Sequence, residues 1–114
     1  MNAQPSLQDI NTFLTDAKNL ITKGKYDFVP RRKNMQDLAA HGLTITDAMS
    51  EILSLLAGDY YKGPKLDHDS NRPGYIWEFK KMICETQFYV KLKISQESGE
   101  DILKCIGFHE DEFI

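Results

Sequence analysis

The chain has 114 residues, 41% of them apolar, and a formal net charge of −3. This size allows one domain with a single hydrophobic core, and the apolar fraction argues against disorder. No apolar run reaches the roughly 20 residues of a membrane-spanning helix, and residues 1–6 lack the basic and apolar parts of a signal peptide. We therefore expect one cytoplasmic domain over residues 1–114 with no membrane contact.

Charge is distributed unevenly along the chain. Residues 23–33 contain five basic side chains and one acidic side chain, residues 34–61 contain four acidic side chains and no lysine or arginine, and residues 109–114 are acidic. Such patches fit an anionic ligand on one side of the domain and a different partner elsewhere. Within the basic segment, Arg31 and Arg32 are candidates for phosphate contacts. Ordinary solvated surface charge is the alternative interpretation.

The first helix is predicted over about residues 7–23, where apolar residues recur at helical spacing. Ser6 and Asp9 form a capping-box pattern at its start, and Gly24 ends it. The segment Tyr26–Val29 is predicted to be short and extended.

Two further helices are predicted before the middle of the chain. Asn34 is a favourable N-cap for a second helix that ends at Gly42. Thr44 opens a third helix that ends near Gly58. The helical part would therefore cover about residues 7–58.

A polar loop over residues 62–74 separates the helices from three predicted strands, at about residues 75–81, 86–95 and 101–109. Helices followed by consecutive strands predict an α+β domain, with N-terminal helices packed on a small curved antiparallel sheet over about residues 75–109.

Side chains of the first two strands alternate between apolar and polar. One face would carry Tyr75, Trp77, Phe79, Phe88, Val90, Leu92 and Ile94. The other would carry Glu78, Lys80, Gln87, Tyr89, Lys91 and Lys93. A carboxylate, a phenol and ammonium groups together suit acid–base chemistry on a phosphodiester, although any amphipathic sheet has such a polar face.

Alternation in the third strand permits two assignments. One buries Ile106 and Phe108 and leaves His109 on the polar face, which is the assignment we adopt. The other buries Leu103 and Cys105, and nothing in the local sequence decides between them.

Other chemically active residues give weaker signals. Cys84 and Cys105 are interpreted as reduced, buried thiols inside apparent strands, and pairing between them stays open. Residues 67–69, Asp-His-Asp, have no second cluster to complete a metal site. His41 is read as a helix C-terminal residue that complements the helix dipole.

Six segments, in their order along the chain, resemble the MqsR-like toxins of bacterial type II toxin–antitoxin systems, within the RelE/ParE superfamily. They are Arg31–Asn34, Leu38–Thr44, Asp59–Pro64, Ile76–Phe79, Tyr89–Ile94 and Gly107–His109. The resemblance implies a RelE-like fold and a metal-independent endoribonuclease, an mRNA interferase, that cleaves mRNA and needs no cofactor. It also implies a cognate antitoxin, often one with a helix-turn-helix domain.

Four positions align with the catalytic residues of that family, and two of them, Glu78 and His109, carry a different residue. Lys62 aligns with a family lysine, Glu78 with a glutamine, Tyr89 with a tyrosine and His109 with a lysine; a gapped alignment would place Lys91 in the tyrosine position. Either Glu78 or His109 would then be the base, and the other, or Tyr89, would protonate the leaving group. The expected RNA contacts are Arg31, Arg32, Lys80, Lys91 and Lys93.

The main alternative is a non-catalytic protein on the same fold, either a gyrase-directed toxin or a small adaptor. Such a protein would act by protein binding, so Glu78, Tyr89 and His109 would not need to converge.

Overall fold

The computed structural model describes residues 4–69 and 73–112, which have the predicted α+β architecture. Its helices are α1 (Leu7–Thr22), α2 (Arg32–Ala40) and α3 (Ile45–Leu53), followed by a 3₁₀ turn at Ala57–Asp59. Its strands are β1 (Tyr26–Phe28), β2 (Tyr60–Leu66), β3 (Tyr75–Ile83), β4 (Thr86–Glu97) and β5 (Glu100–Glu110). No helix in these described ranges is long and apolar enough to cross a membrane.

The strands form one sheet in the order β1-β5-β4-β3-β2. The three predicted strands are its antiparallel centre. The sheet is nevertheless mixed rather than wholly antiparallel, because β1, predicted only as an extended segment, pairs in parallel with β5.

Capping boxes start two of the helices, and the one at Ser6 and Asp9 was predicted. Ser6 and Asp9 exchange side-chain and backbone hydrogen bonds of 3.0 Å at the start of α1, and Thr44 opens α3 in the same way. The third helix ends at Leu53, however, several residues before Gly58.

Asn34 is not an N-cap, contrary to prediction. Arg31 occupies the N-cap position of α2 without a side-chain capping bond, and Asn34 lies inside the helix with 1% of its surface exposed. Its side-chain amide instead forms hydrogen bonds with the backbone of β5 and of the segment between β1 and α2. Tertiary contacts therefore override the local capping preference here.

The prediction of a loop from residue 62 is wrong, because β2 extends to Leu66 and pairs with β3. Gly63 and Pro64 are tolerated because β2 is an edge strand. Gly63 has φ +110°, and a Cβ there would lie 2.5 Å from the carbonyl oxygen of Ile76, so the position requires glycine. Residues 70–72 of the predicted loop lie outside the described residues.

The apolar face of the sheet packs against α1 and α3, as the alternation predicts. Phe79, Phe88 and Leu92 are fully buried there, and Phe13 of α1 stacks on Trp77 with ring centroids 4.8 Å apart. Each such side chain stabilises the fold by about 1.5–3 kcal/mol. Tyr75 is an exception, with 57% of its surface exposed.

A β-bulge in β5 reverses the alternation of its side chains, so each predicted assignment of that strand is correct for only part of it. Lys91 pairs with Gly107 but Leu92 pairs with Cys105, so Ile106 is an extra residue. Before the bulge, Leu103 and Cys105 face the core, and after it Phe108 does.

Both described cysteines are free thiols. Cys84 is exposed rather than buried, and it lies in the two-residue β3–β4 turn rather than in a strand. Cys84 and Glu85 have positive φ angles of 51° and 62°. Cys105 is buried, which raises the pKa of its thiol far above the ordinary value.

Candidate active site

A cleft of about 390 Å³ opens on the polar face of the sheet. It is lined by Tyr61, Lys62, Glu78, Lys80, Tyr89, Lys91, His109, Asp111 and Glu112. The four predicted catalytic residues all lie in this lining, together with Lys80 and Lys91 from the predicted RNA contacts.

Strand register brings these side chains together from four strands. Lys62 pairs with Glu78, Glu78 with Lys91, and Lys91 with Gly107, which forms one row across the sheet. In the neighbouring row, Tyr89 lies between Lys80 and His109. Directly opposite residues in a sheet have Cβ atoms about 4.5–5.5 Å apart, so the side chains within each row are close neighbours.

Glu78 is the carboxylate at the centre of the cleft. Only 6% of its surface is exposed, and its Oε1 accepts a hydrogen bond from the hydroxyl of Tyr89. The phenol therefore fixes one carboxylate oxygen, and the other oxygen is not committed to any described residue. A fixed, partly desolvated carboxylate is well suited to accept a proton from a bound hydroxyl group.

His109 contributes an imidazole whose orientation is fixed on two sides. Its ring stacks on the ring of Tyr89, with centroids 5.3 Å apart and an interplanar angle of 25°. Its Nδ1 lies 2.8 Å from the carbonyl oxygen of Glu110. Because a carbonyl oxygen only accepts hydrogen bonds, Nδ1 carries a proton, and Nε2 is the atom available for proton transfer.

The lysines of the cleft differ in their pairing. Among the described residues, Lys62 and Lys91 have no ion-pair partner. The Nζ of Lys80 lies 2.9 Å from Asp111 and 4.0 Å above the ring centroid of Tyr61. The hydrogen bond to Asp111 and the charge of that residue raise the pKa of Lys80. Two ammonium groups are therefore available to an anionic ligand, and the third is already neutralised.

Gly107 keeps the floor of the cleft open. A Cβ at this position would lie 3.1 Å from the Cβ of Lys91 and 3.6 Å from Cε1 of Tyr89. The first distance is tighter than an ordinary contact, so a larger residue would force Lys91 to shift by a few tenths of an ångström, whereas the second is an ordinary contact with the ring of Tyr89.

No protein-family model matches this chain, and no curated protein matches it either. The resemblance to MqsR-like toxins is thus carried by short segments alone. Four of those segments, which are far apart in the sequence, supply Lys62, Glu78, Tyr89 and His109 to the same cleft.

Three predicted RNA contacts lie outside the cleft. Lys93 is 4% exposed and its Nζ lies 2.6 Å from Asp67, so it is held in a buried ion pair rather than presented to a ligand. Arg31 and Arg32 are exposed at the start of α2 and do not line the cleft.

Three residues line the cleft without having been predicted from the sequence, namely Tyr61, Asp111 and Glu112. Recognising β2 as a strand would have placed Tyr61 beside the cleft, and the acidic C-terminal segment was the signal for the two carboxylates. Asp111 also accepts a hydrogen bond of 2.7 Å from Gln87. Residues 113–114 of that segment lie outside the described residues.

The remaining candidate residues, His41 and Asp67, form contacts with other side chains of the fold. His41 follows the last residue of α2, and its Nε2 lies 3.0 Å from Glu110. Asp67 pairs with Lys93, and this hydrogen bond lowers its pKa. Among residues 4–69 and 73–112, no group of three or more His, Cys, Asp or Glu side chains is arranged to hold a metal ion.

Proposed function

We propose that this protein is the toxin of a bacterial type II toxin–antitoxin system and acts as a metal-independent endoribonuclease on mRNA. The observation that carries the proposal is the convergence of Glu78, Tyr89 and His109 in one open cleft, beside two unpaired lysines. The motif resemblance described above supports the same activity.

These groups match the requirements of RNA cleavage by internal transesterification. The reaction needs a base for the 2′-hydroxyl proton, an acid for the departing 5′-oxygen, and positive charge near the phosphorus. Glu78 is a fixed carboxylate, His109 has its Nε2 available, and Lys62 and Lys91 supply unpaired charge.

In the proposed reaction, the carboxylate of Glu78 takes the proton of the 2′-hydroxyl group. The 2′-oxygen attacks the adjacent phosphorus, and a new oxygen–phosphorus bond forms. The imidazolium of His109 donates its Nε2 proton to the 5′-oxygen as the bond from phosphorus to that oxygen breaks. The products are a 2′,3′-cyclic phosphate and a 5′-hydroxyl end, and no cofactor is required.

Tyr89 and the two lysines support these proton transfers. The Tyr89 hydroxyl holds Glu78, and its ring supports the imidazole of His109. Lys62 and Lys91 would lie beside the phosphoryl oxygens and stabilise the charge that develops on them in the transition state. Lys80 contributes less, because Asp111 neutralises it.

A toxin of this kind would be held inactive by a cognate antitoxin, which the resemblance implies to be a helix-turn-helix protein. The purified protein must therefore be freed of any co-expressed partner before its activity is measured.

The test is incubation of the purified protein with a long RNA in the presence of EDTA. We expect discrete cuts whose upstream products end in a 2′,3′-cyclic phosphate. Glu78→Gln and His109→Ala should each slow cleavage by about 100-fold or more, since general acid–base catalysis contributes factors of this size. His68→Ala and Glu100→Gln, which alter exposed residues outside the cleft, are the matched controls.

Absence of cleavage would contradict the proposed activity of the isolated protein. If expression still arrested growth, a ribosome-dependent nuclease or a gyrase-directed toxin would replace the proposal. If growth continued normally, the adaptor interpretation would replace it.

A further inference from the structure

Asn34 joins α2 to the bulge in β5. Its Nδ2 donates hydrogen bonds to the carbonyl oxygens of Ile106 at 2.9 Å and Val29 at 3.1 Å. Its Oδ1 accepts from the amide of Phe108 at 3.0 Å. One side-chain amide therefore bridges the backbone on both sides of Gly107.

This contact lies where β5 loses its neighbouring strand. β1 ends at Phe28, which pairs with Cys105, and the next residues of β5 have no strand partner on that edge within residues 4–69 and 73–112. Asn34 bonds to the first of these edge groups, and Asp37 accepts a hydrogen bond of 2.8 Å from the amide of Glu110. Side chains from one face of α2 thus replace a strand as the partner of this edge.

The bulge determines which side chains of β5 face the cleft. Leu103 and Cys105 face the core before it. In a regular strand, that alternation would continue, so Gly107 and His109 would also face the core. The extra residue, Ile106, reverses the alternation, and His109 therefore pairs with Tyr89 on the cleft face.

We infer that Asn34 is a positioning residue for His109: by bridging Ile106 and Phe108, it holds the bulge that directs the imidazole into the cleft. This inference rests on the proposed function only in its kinetic readout. Its structural content, the orientation of His109 against Tyr89, is measurable whether or not the protein cleaves RNA.

The test compares Asn34→Asp and Asn34→Ala with the wild-type protein. Asn34→Asp is nearly isosteric and keeps the acceptor for Phe108 but loses both donated bonds, whereas Asn34→Ala loses all three. In NMR spectra we expect weaker nuclear Overhauser contacts between the rings of His109 and Tyr89 in both variants.

In single-turnover cleavage, we expect the maximal rate of each variant to fall by about tenfold or more, since misplacement of a catalytic group by 1 Å can cost up to 100-fold. The half-saturating RNA concentration should change little, because Lys62 and Lys91 remain in place. In a His109→Ala background, the Asn34 substitutions should cause no further loss of rate, because their effect passes through His109.

Two control variants separate this effect from general destabilisation. Gln36→Ala alters an exposed position on the same helix, and Met49→Ala removes a buried side chain from α3. Unchanged ring contacts in folded Asn34→Asp would overturn the inference. An additive loss of rate in the His109→Ala background would also overturn it. If Asn34→Ala does not fold, Asn34→Asp decides by the same measurements. If the wild-type protein does not cleave RNA, the proposed function fails while the NMR comparison still decides the role of Asn34.

Discussion

Two lysines of β4, only two residues apart on the same face of the sheet, have opposite surroundings. Lys91 lines the cleft and has no ion-pair partner among the described residues. Lys93 is 4% exposed, and its Nζ lies 2.6 Å from Asp67. Alternation along the strand assigns both lysines to the polar face. Lys91 is nevertheless available to a ligand, whereas Lys93 is held in an ion pair.

The residues around Lys93 extend this difference to the whole end of the sheet. Its cross-strand neighbour, Lys104, is 6% exposed and lies 2.8 Å from Asp27 and 2.6 Å from Glu97. Carboxylates from other parts of the chain thus cover this end of the polar face, the paired end. At the opposite end, the cleft end, Asp111 pairs with Lys80, whereas Lys62 and Lys91 have no ion-pair partner among the described residues. The positions of these carboxylates therefore separate the lysines that we propose to bind RNA from the lysines that are held in ion pairs.

The largest effect should come from removing Glu78, the proposed base, at the cleft end. Glu78→Gln keeps an acceptor for the Tyr89 hydroxyl but no longer takes a proton, so the cleavage rate should fall by about 100-fold or more. The unfolding midpoint should stay close to that of the wild type. Cleavage kinetics and thermal unfolding measured on the same sample check both expectations. An unchanged rate would remove Glu78 from the chemistry.

The next largest effect should come from replacing Lys93 at the paired end, and it should change the free energy of unfolding without changing RNA cleavage. Lys93→Met leaves the carboxylate of Asp67 without this partner and should lower the free energy of unfolding by about 1–3 kcal/mol, less than for a fully buried pair because Asp67 is 20% exposed. RNA cleavage by the folded fraction should be unchanged. Urea denaturation with a parallel cleavage assay tests this, and loss of RNA binding without loss of stability would reverse the assignment.

A smaller effect is expected on RNA affinity. Lys62→Ala and Lys91→Ala should each weaken binding of a single-stranded RNA and reduce the slope of log affinity against log salt concentration by about 0.7. Lys80→Ala should weaken binding less, because Asp111 already neutralises Lys80. Asp111→Asn should strengthen binding. Fluorescence anisotropy over a range of salt concentrations measures all four variants, and equal losses for the three lysines would contradict the difference in pairing.

The smallest effect concerns the acid stability of the paired end. The hydrogen bond from Lys93 lowers the pKa of Asp67 below its ordinary value of 3.8. A lowered pKa stabilises the folded state above the unfolded-state pKa, and this stabilisation is lost as pH falls through the folded-state value. Asp67→Asn should therefore be less stable than the wild type by about 1 kcal/mol near neutral pH, with the gap closing below about pH 4. A gap that stayed constant down to pH 2 would contradict this assignment.

The sequence was sufficient to predict the parts of this molecule that depend on local patterns. The capping box of α1 and the alternation along β4 depend on residues that are close in the sequence, and both predictions are confirmed. Alternation also placed Glu78, Tyr89 and Lys91 on one face, and these three line the cleft.

The features that could not be predicted depend on contacts between distant residues. The reversal of alternation in β5 is held by Asn34, 72 positions away from Ile106, so neither strand assignment could be chosen locally. Lys93 differs from Lys91 in its ion pair with Asp67, which follows β2 and lies 26 positions away in the sequence. Gly63 and Pro64 have the composition of a loop, and only pairing with β3 makes them part of a strand.

The most direct test of the account is to map where RNA binds. A 2′-O-methyl RNA oligonucleotide lacks the attacking hydroxyl group and will not be cleaved, so its complex with the ¹⁵N-labelled protein can be followed by NMR. We predict that the largest shift changes occur at Lys62, Glu78, Tyr89, Lys91, Gly107 and His109, with little change at Lys93 and Lys104. Shifts centred on Lys93 and Lys104, or on the helices, would contradict the assignment of the cleft as the RNA site.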